Sequence, residues 1–342
     1  MIPPEKDHCP GTLATGFSTY SPTCLRRVFN GRKVSHLLPY LPPQASEEDA
    51  ELFLENRKRI SISGVQEKLS LLLEKNQLRL TKAGEHGQYI LKPIPRDVKR
   101  PDQVPANEHL TMQIARQVYK LNVAENALIF FRNGEPAYLT KRFDLKADGT
   151  RHRQEDFASL AGKTKQTAGS DFKYEGSYED IATIIRETVP AFQVELEKFF
   201  SLVLFNYLFS NGDAHLKNFS LIDTAFGDYI LSPAYDLICT RLHVNDAYFA
   251  LKNGLFSGDY ETESFRVNGF YAHDDYYAFA LKIGLQEKRA AKIMATYRQD
   301  HPITHSLIHN SYLRDDMKNM YKKYYLERLR MLNDAMTQRI KA

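Results

Sequence analysis

Asn211-Gly212-Asp213-Ala214-His215-Leu216-Lys217-Asn218-Phe219 is followed by Ser232-Pro233-Ala234-Tyr235-Asp236-Leu237. An Asp, an Asn five residues on and an Asp eighteen beyond that match the spacing of a phosphoryl-transfer site. Asp213 is placed to accept a hydroxyl proton, and Asn218 and Asp236 to hold a magnesium ion bridging nucleotide phosphates. Such chemistry asks a protein mainly for positioning and charge neutralisation. Magnesium prefers oxygen ligands and keeps several waters, so one amide and one carboxylate suffice. Each segment alone reads as a turn or a helix cap; their order and spacing together favour the chemical reading. The apolar flanks (Phe219, Leu221, Ile222; Tyr235, Leu237, Ile238) predict a loop and short strand, then a second strand ending at Asp236.

Upstream, the Ser/Gly loop Ser61-Ile62-Ser63-Gly64-Val65-Gln66 leads into a predicted strand over 69–73, a turn, and a returning strand over 78–81. A further strand over 88–94 carries Lys92 between Leu91 and Pro93. Pro105 and Asn107 then open a helix with Leu110, Ile114, Val118 and Leu121 on one face. Asn133-Gly134 between two apolar runs predicts a hairpin. Loop, hairpin, lysine strand, helix and hairpin follow the order of a protein-kinase small lobe.

Within that frame Lys92 is the natural phosphate-binding cation, because lysines rarely occupy apolar strands. Glu108, sixteen residues on, is its candidate partner and also an acid suited to the first turn of a helix. The loop has one glycine and fails the Gly-x-Gly-x-x-Gly pattern, yet the amides of Ser63, Gly64 and Val65 can still cradle phosphates. Residues 139–144 lie where a hinge belongs, with the backbone of Lys141 and Phe143 facing an adenine. His215 is placed to contact nucleotide or brace the loop.

The remainder is ordinary for a globular protein: 342 residues, 43% apolar, 26% charged, formal charge +4. That charge does not imply nucleic acid. Three cysteines give no even disulfide framework, and the start lacks a secretory pattern, so a cytoplasmic location is expected. The apolar run around 199–209 contains Ser201 and Asn206 and is too short for a bilayer. From residue 154 onward the chain reads as helical, with a long apolar helix over 194–210 delivering the Asp213 loop. An amphipathic helix over 315–340 carries Met317, Met320, Tyr321, Tyr325, Leu329 and Leu332. A helix is also predicted over 47–59, with Ser46 as N-cap. The expected fold class is α+β, a two-lobed protein-kinase-like fold. Residues 1–59 form an extension packing on the kinase, 60–144 the mixed small lobe and 145–342 the helical large lobe.

Taken together these segments resemble the HipA family of bacterial serine/threonine kinase toxins. Ser61 to Lys68, Tyr89-Ile90-Leu91-Lys92-Pro93, Asn107-Glu108, Lys141-Arg142-Phe143-Asp144, Gln154-Glu155-Asp156-Phe157 and the two acidic segments match in order over residues 58–330. The resemblance implies ATP and Mg2+ as cofactors, Asp213 as base, Lys92 on phosphate, and Asn218 and Asp236 on the metal. It also implies autophosphorylation at Ser61 or Ser63, in the Ser-x-Ser form of the shorter HipT-type toxins. In family terms a small N-terminal subdomain of about a hundred residues looks absent, and the resemblance implies a separate small protein in its place. A helix-turn-helix antitoxin and a protein substrate, by analogy an aminoacyl-tRNA synthetase, are the other implied partners, without direct nucleic-acid binding. Cys9 and Cys24, with only His8 nearby, supply too few ligands for zinc. A small-molecule phosphotransferase is the alternative enzyme, which the serine-bearing loop argues against. A non-catalytic co-repressor module is the alternative outside enzymes, which the complete Lys92, Asp213, Asn218 and Asp236 set argues against.

Overall fold

The computed structural model describes residues 7–43, 67–146 and 148–336. The predicted helix over 47–59 and the loop over 61–66 lie outside the described residues. Lys75 and Asn76 both adopt positive φ (46° and 68°), the conformation a tight two-residue hairpin requires. They join β1 (Leu69–Glu74) to β2 (Gln77–Leu80), with Glu74 opposite Gln77. With β3 (Tyr89–Lys92), β4 (Asn126–Phe130) and β5 (Pro136–Lys141) they form an antiparallel sheet of order β2-β1-β3-β5-β4.

Period-two alternation sends the side chains of this sheet to two buried faces. Ala127, Ile129, Ala137, Leu139, Leu69, Leu71, Tyr89 and Leu91 join a core with Cys9, Tyr20, Phe29 and Val34 from the N-terminal extension. Among its described residues, helix α1 (Pro22–Phe29) starts with Ser21 accepting the Cys24 N–H and ends at left-handed Asn30. The Tyr20 hydroxyl donates to Leu128 O (2.7 Å), and the Tyr89 hydroxyl donates to Val28 O (2.9 Å). Leu38 N–H donates to Phe130 O, and Phe130 N–H to His36 O, so the extension covers the edge of β4.

The opposite face, through Leu128, Phe130 and Tyr138, packs into the larger core with Leu110 and Ile114. Those two residues lie on α2 (Val104–Gln117), which is buried from Val104 to Ala115 on every side rather than along one stripe. The helix ends before Val118 and Leu121 can extend that stripe. The chain turns back through left-handed Lys120, and Leu121 N–H returns to Ala115 O.

The helical lobe comprises α3 (Tyr178–Thr188), α4 (Phe192–Leu208), α5 (His273–Lys282), α6 (Glu287–Tyr297), α7 (Pro302–Asn310) and α8 (Asp315–Asn333). Two expectations are corrected here. Residues 154–156 are not helical: β6 (Gln154–Asp156) pairs with β7 (Ser220–Asp223), which pairs with β8 (Tyr229–Leu231). Nothing local in Gln-Glu-Asp favours a strand; its partner sixty-odd residues away imposes it. The strand expected to end at Asp236 stops at Leu231, because Pro233 has no N–H to donate and Asp236 adopts φ +56°. Helix α8 reaches across the lobe, with Tyr325 stacked 5.2 Å from Phe209 and the Tyr321 hydroxyl 2.9 Å from Thr111 Oγ1 on α2.

Phe29 is fully buried between Tyr20 and Tyr89, at ring distances of 4.9 and 5.9 Å. Replacing Phe29 with Ala is expected to destabilise the protein by about 3–5 kcal/mol in denaturant titrations. A loss within about 0.5 kcal/mol, as for a surface site, would mean that the extension does not form part of the core.

Candidate active site

Leu91 and Lys92 are neighbours on β3, so their side chains leave opposite faces of the sheet. Leu91 enters the core under the extension, and Lys92 faces α2 with 4% of its surface exposed. Its Nζ lies 2.7 Å from Glu108 Oε1 on α2, bonds Asp236 Oδ1, and sits 5.3 Å from the Tyr138 ring. One buried cation thus links the sheet, the helix and the second acidic segment. Burial opposes the Lys92 charge, but Asp236 and Glu108 more than offset it and hold the ammonium protonated. Burial likewise opposes the Asp236 charge, yet Lys92 and Lys68 bring its carboxyl down to about 2. Glu108 differs: burial outweighs the attraction of Lys92 and pushes its carboxyl up to about 7.

The Asp213 loop is fixed by hydrogen bonds from several elements. The Thr240 hydroxyl donates to Ser210 O (3.0 Å) and accepts Gly212 N–H (2.8 Å). A Cβ on Gly212 would stand 2.4 Å from the Asp246 carboxylate, so this close approach requires glycine. The Asn211 amide donates to Asn206 Oδ1 (2.9 Å) and Asp236 O (3.5 Å) and accepts Asp213 N–H (3.3 Å), coupling the two acidic segments. His215 N–H bonds Asp213 O (2.8 Å) and Asn218 Oδ1 (3.3 Å). Burial lowers the His215 imidazole to about 4, so the ring is neutral and its Nδ1 accepts Lys217 N–H. His215 therefore braces the loop that carries Asp213 and Asn218. The Asp213 side chain itself is exposed, and its Oδ1 accepts the Tyr174 hydroxyl at 3.0 Å.

Phe143 stacks on Tyr235, with rings 5.8 Å apart and 27° between planes, beside Asp236. Lys141, at the end of β5, gives its N–H to Glu125 O (2.7 Å) and its ammonium to Asn30 Oδ1 (2.7 Å). Any adenine at this edge would thus meet groups other than the Lys141 N–H. Ser61, Ser63, Gly64 and Val65 lie outside the described residues.

Three contributors carried no assigned role in the sequence. The Asn107 amide donates to Cys239 O (2.9 Å) and accepts Cys239 N–H (3.2 Å), clamping α2 to the chain just past Asp236. Asp156 caps the short helix Phe157–Leu160 and pairs with Lys217 at 2.5 Å, bracing the Asp213 loop from β6. Tyr174 is the third. Asn107 was visible as a helix-opening residue and, like Asp156, as a member of a matching segment, and Tyr174 had no signal.

Sheet, cross-braced helix, hinge and helical lobe make this a protein-kinase-like fold. Residues 60–303 match the HipA-like C-terminal domain, and the chain belongs to that family. It is 27% identical over 315 residues to a Haemophilus influenzae protein named "Putative kinase", covering 87% of this chain and 89% of that one. It is 34% identical over 219 residues to "Putative kinase Y4dM" of Sinorhizobium fredii, covering 57% and 49%. Among solved structures it is similar to HipA of Shewanella oneidensis, described in complex with HipB and operator DNA (TM-score 0.62, 19% identity, 86% of this chain and 73% of that). It is also similar to the Helicobacter pylori proinflammatory kinase CtkA (TM-score 0.50, 17% identity, 77% and 90%). Among the described residues no helix is long and apolar enough to cross a membrane.

The Glu108 shift has a direction that stability measurements can read. Its carboxyl is raised from 4.5 to about 7 on folding, so its contribution is complete below pH 4.5 and is lost as pH rises through about 7. The wild type should therefore lose stability relative to Glu108→Gln between roughly pH 5 and pH 8 in urea titrations. A constant difference across that window would contradict the buried, proton-rich Glu108.

Proposed function

We propose that the chain is an ATP- and Mg2+-dependent serine/threonine protein kinase whose base is Asp213. The observation that carries this reading is the burial of Lys92 between Glu108 and Asp236, on the same acidic segment that Asn211 ties to the Asp213 loop. A cation already compensated and immobilised is suited to grip phosphate oxygens without reorganising. The exposed Asp213 carboxylate accepts the proton of an incoming hydroxyl, while its backbone stays fixed by Asn211 and His215.

Asn218 and Asp236 fit magnesium. Both present hard oxygens, both are partly exposed (the Asp236 side chain 31%), and phosphate oxygens and waters complete such a site. Among the described residues no group of three or more His, Cys, Asp or Glu side chains could hold a metal ion. Bound magnesium supplies neutralisation of the charge developing on the transferred phosphoryl group. Phe143 stacked on Tyr235 offers an apolar wall at the hinge for the base of the nucleotide.

The target is a protein hydroxyl, with a translation component such as an aminoacyl-tRNA synthetase as the class and toxicity as the consequence. The similarity to a HipA that is bound to HipB and operator DNA supports a helix-turn-helix antitoxin as partner. A separate small protein in place of a family N-terminal subdomain would be a second partner. Autophosphorylation at Ser61 or Ser63 would place about two negative charges beside the nucleotide phosphates and weaken ATP binding.

Labelled ATP with magnesium, followed by intact-mass measurement, tests this. The wild type should acquire phosphate on Ser61 or Ser63, and Asp213→Ala should lose transfer by at least about a hundredfold while still binding ATP. Retained transfer in Asp213→Ala would overturn the assignment of the base. Replacing both serines with Asp should weaken ATP binding measurably by calorimetry, and unchanged affinity would remove the self-inactivation.

A further inference from the structure

The exposed carboxylate of the proposed base is already engaged by a hydroxyl of the protein itself. Tyr174 Oη donates to Asp213 Oδ1 at 3.0 Å, and the Tyr174 ring meets His215 edge-on at 5.3 Å. We propose that Tyr174 occupies the acceptor-hydroxyl position and must be displaced before a substrate hydroxyl can reach Asp213, so that residues 161–176 act as a flap selecting what enters. This rests on the reading of Asp213 as the base.

The bond has the donor, acceptor and length that a kinase acceptor makes to its base. Burial, with Asp213 next, raises the Tyr174 phenol well above its ordinary value, so it remains a protonated donor at physiological pH. The segment that carries it is built to leave. It is mostly exposed from Gly162 to Asp171, and it is bounded by Gly162 and Gly176 at φ +65° and +98°.

Phe172, half-buried against the larger core, and the Asn253 N–H bond to Gly176 O anchor the segment, and its remaining attachments lie near the surface. Lys252 N–H donates to Tyr174 O, the Lys252 ammonium pairs with Glu175, and Lys163 Nζ donates to Glu175 O. The Lys252 side chain is 53% exposed and that of Glu175 35%, and ion pairs of this kind contribute little to holding a loop shut. Tyr174 is only partly buried and is not among the buried core residues, unlike Tyr178 four positions on, whose hydroxyl holds Ala214 O (2.8 Å). The two tyrosines divide the labour: Tyr178 fixes the loop backbone, and Tyr174 covers its reactive carboxylate.

A flap closed over the acceptor position reduces acceptor affinity by the fraction of molecules that are open. Tyr174→Phe keeps the ring on His215 and removes the bond. With dephosphorylated casein as acceptor, its KM should fall about tenfold, equivalent to ~1.4 kcal/mol for one hydrogen bond to a charged group. KM for ATP should stay within about a factor of two, since the nucleotide groups are untouched. Hydrogen exchange across residues 161–176 should quicken in the variant. An unchanged or raised casein KM in an active enzyme would overturn the proposal, because a merely positioning tyrosine would lower kcat instead. If the wild type transfers no phosphate, the kinase reading fails on its own, and exchange decides the flap: faster exchange supports the contact as its latch, unchanged exchange overturns it.

Discussion

The ion cluster of Lys92 with Glu108 and Asp236 is the interaction on which the rest of the molecule depends. Burying ionisable groups is costly, and the cost is offset only while Lys92, Asp236 and the proton-rich Glu108 remain together. Each sits on a different part of the fold: a strand of the small sheet, the helix packed beneath it, and the irregular segment after β8. Their mutual requirement therefore fixes how the sheet stands over the helical lobe. The Asn107 clamp on Cys239 and the Tyr321 bond to Thr111 hold α2 in the same position from its other sides.

Around that cluster the protein separates rigid parts from adjustable ones. The loop bearing Asp213 and Asn218 is fastened through Thr240, Asn211, His215 and the Tyr178 hydroxyl, mostly by buried or half-buried bonds. Arg328 adds to this from α8, donating to Ser210 Oγ and lying over the Tyr207 and Tyr248 rings. The segment over 161–176 is held instead by part-exposed bonds that water can replace and by the half-buried Phe172. A site that must position phosphates within a fraction of an ångström and still admit a macromolecular hydroxyl has reason to divide its stiffness in this way.

Much of the small lobe was legible from residues 69–141, because hairpin chemistry and alternation are local signals. The turn between the apolar runs over 69–73 and 78–81 and the two apolar runs around Asn133-Gly134 announced their strands, and Lys92 was conspicuous for its apolar neighbours. The strand at 154–156 was not legible, since its three polar residues acquire strand geometry only from a distant partner. Nor was the early end of β8, where a proline and a left-handed Asp236 override apolar flanks. Lys141 illustrates the same limit: its place beside the hinge could be read, but the bond that occupies its N–H comes from Glu125, across the β4–β5 pair.

The sequence by itself determined the chemical inventory: a lysine in an apolar strand, a helix acid, and an Asp, Asn and Asp at defined spacing. Residue identity and local order are enough for that, because hard-oxygen donors and cations are properties of side chains. Beyond the expected Lys92–Glu108 pair, tertiary structure alone decided the partnerships. It decided that Lys92 reaches Asp236 as well as Glu108, that Asp156 braces Lys217, and that Tyr174 lies on Asp213. The contacts to Asp236, Lys217 and Asp213 span from 39 to 144 residues of chain, and no periodicity encodes them. They exist because packing brings distant segments together, where buried charges and polar groups must find one another or pay the cost of leaving water.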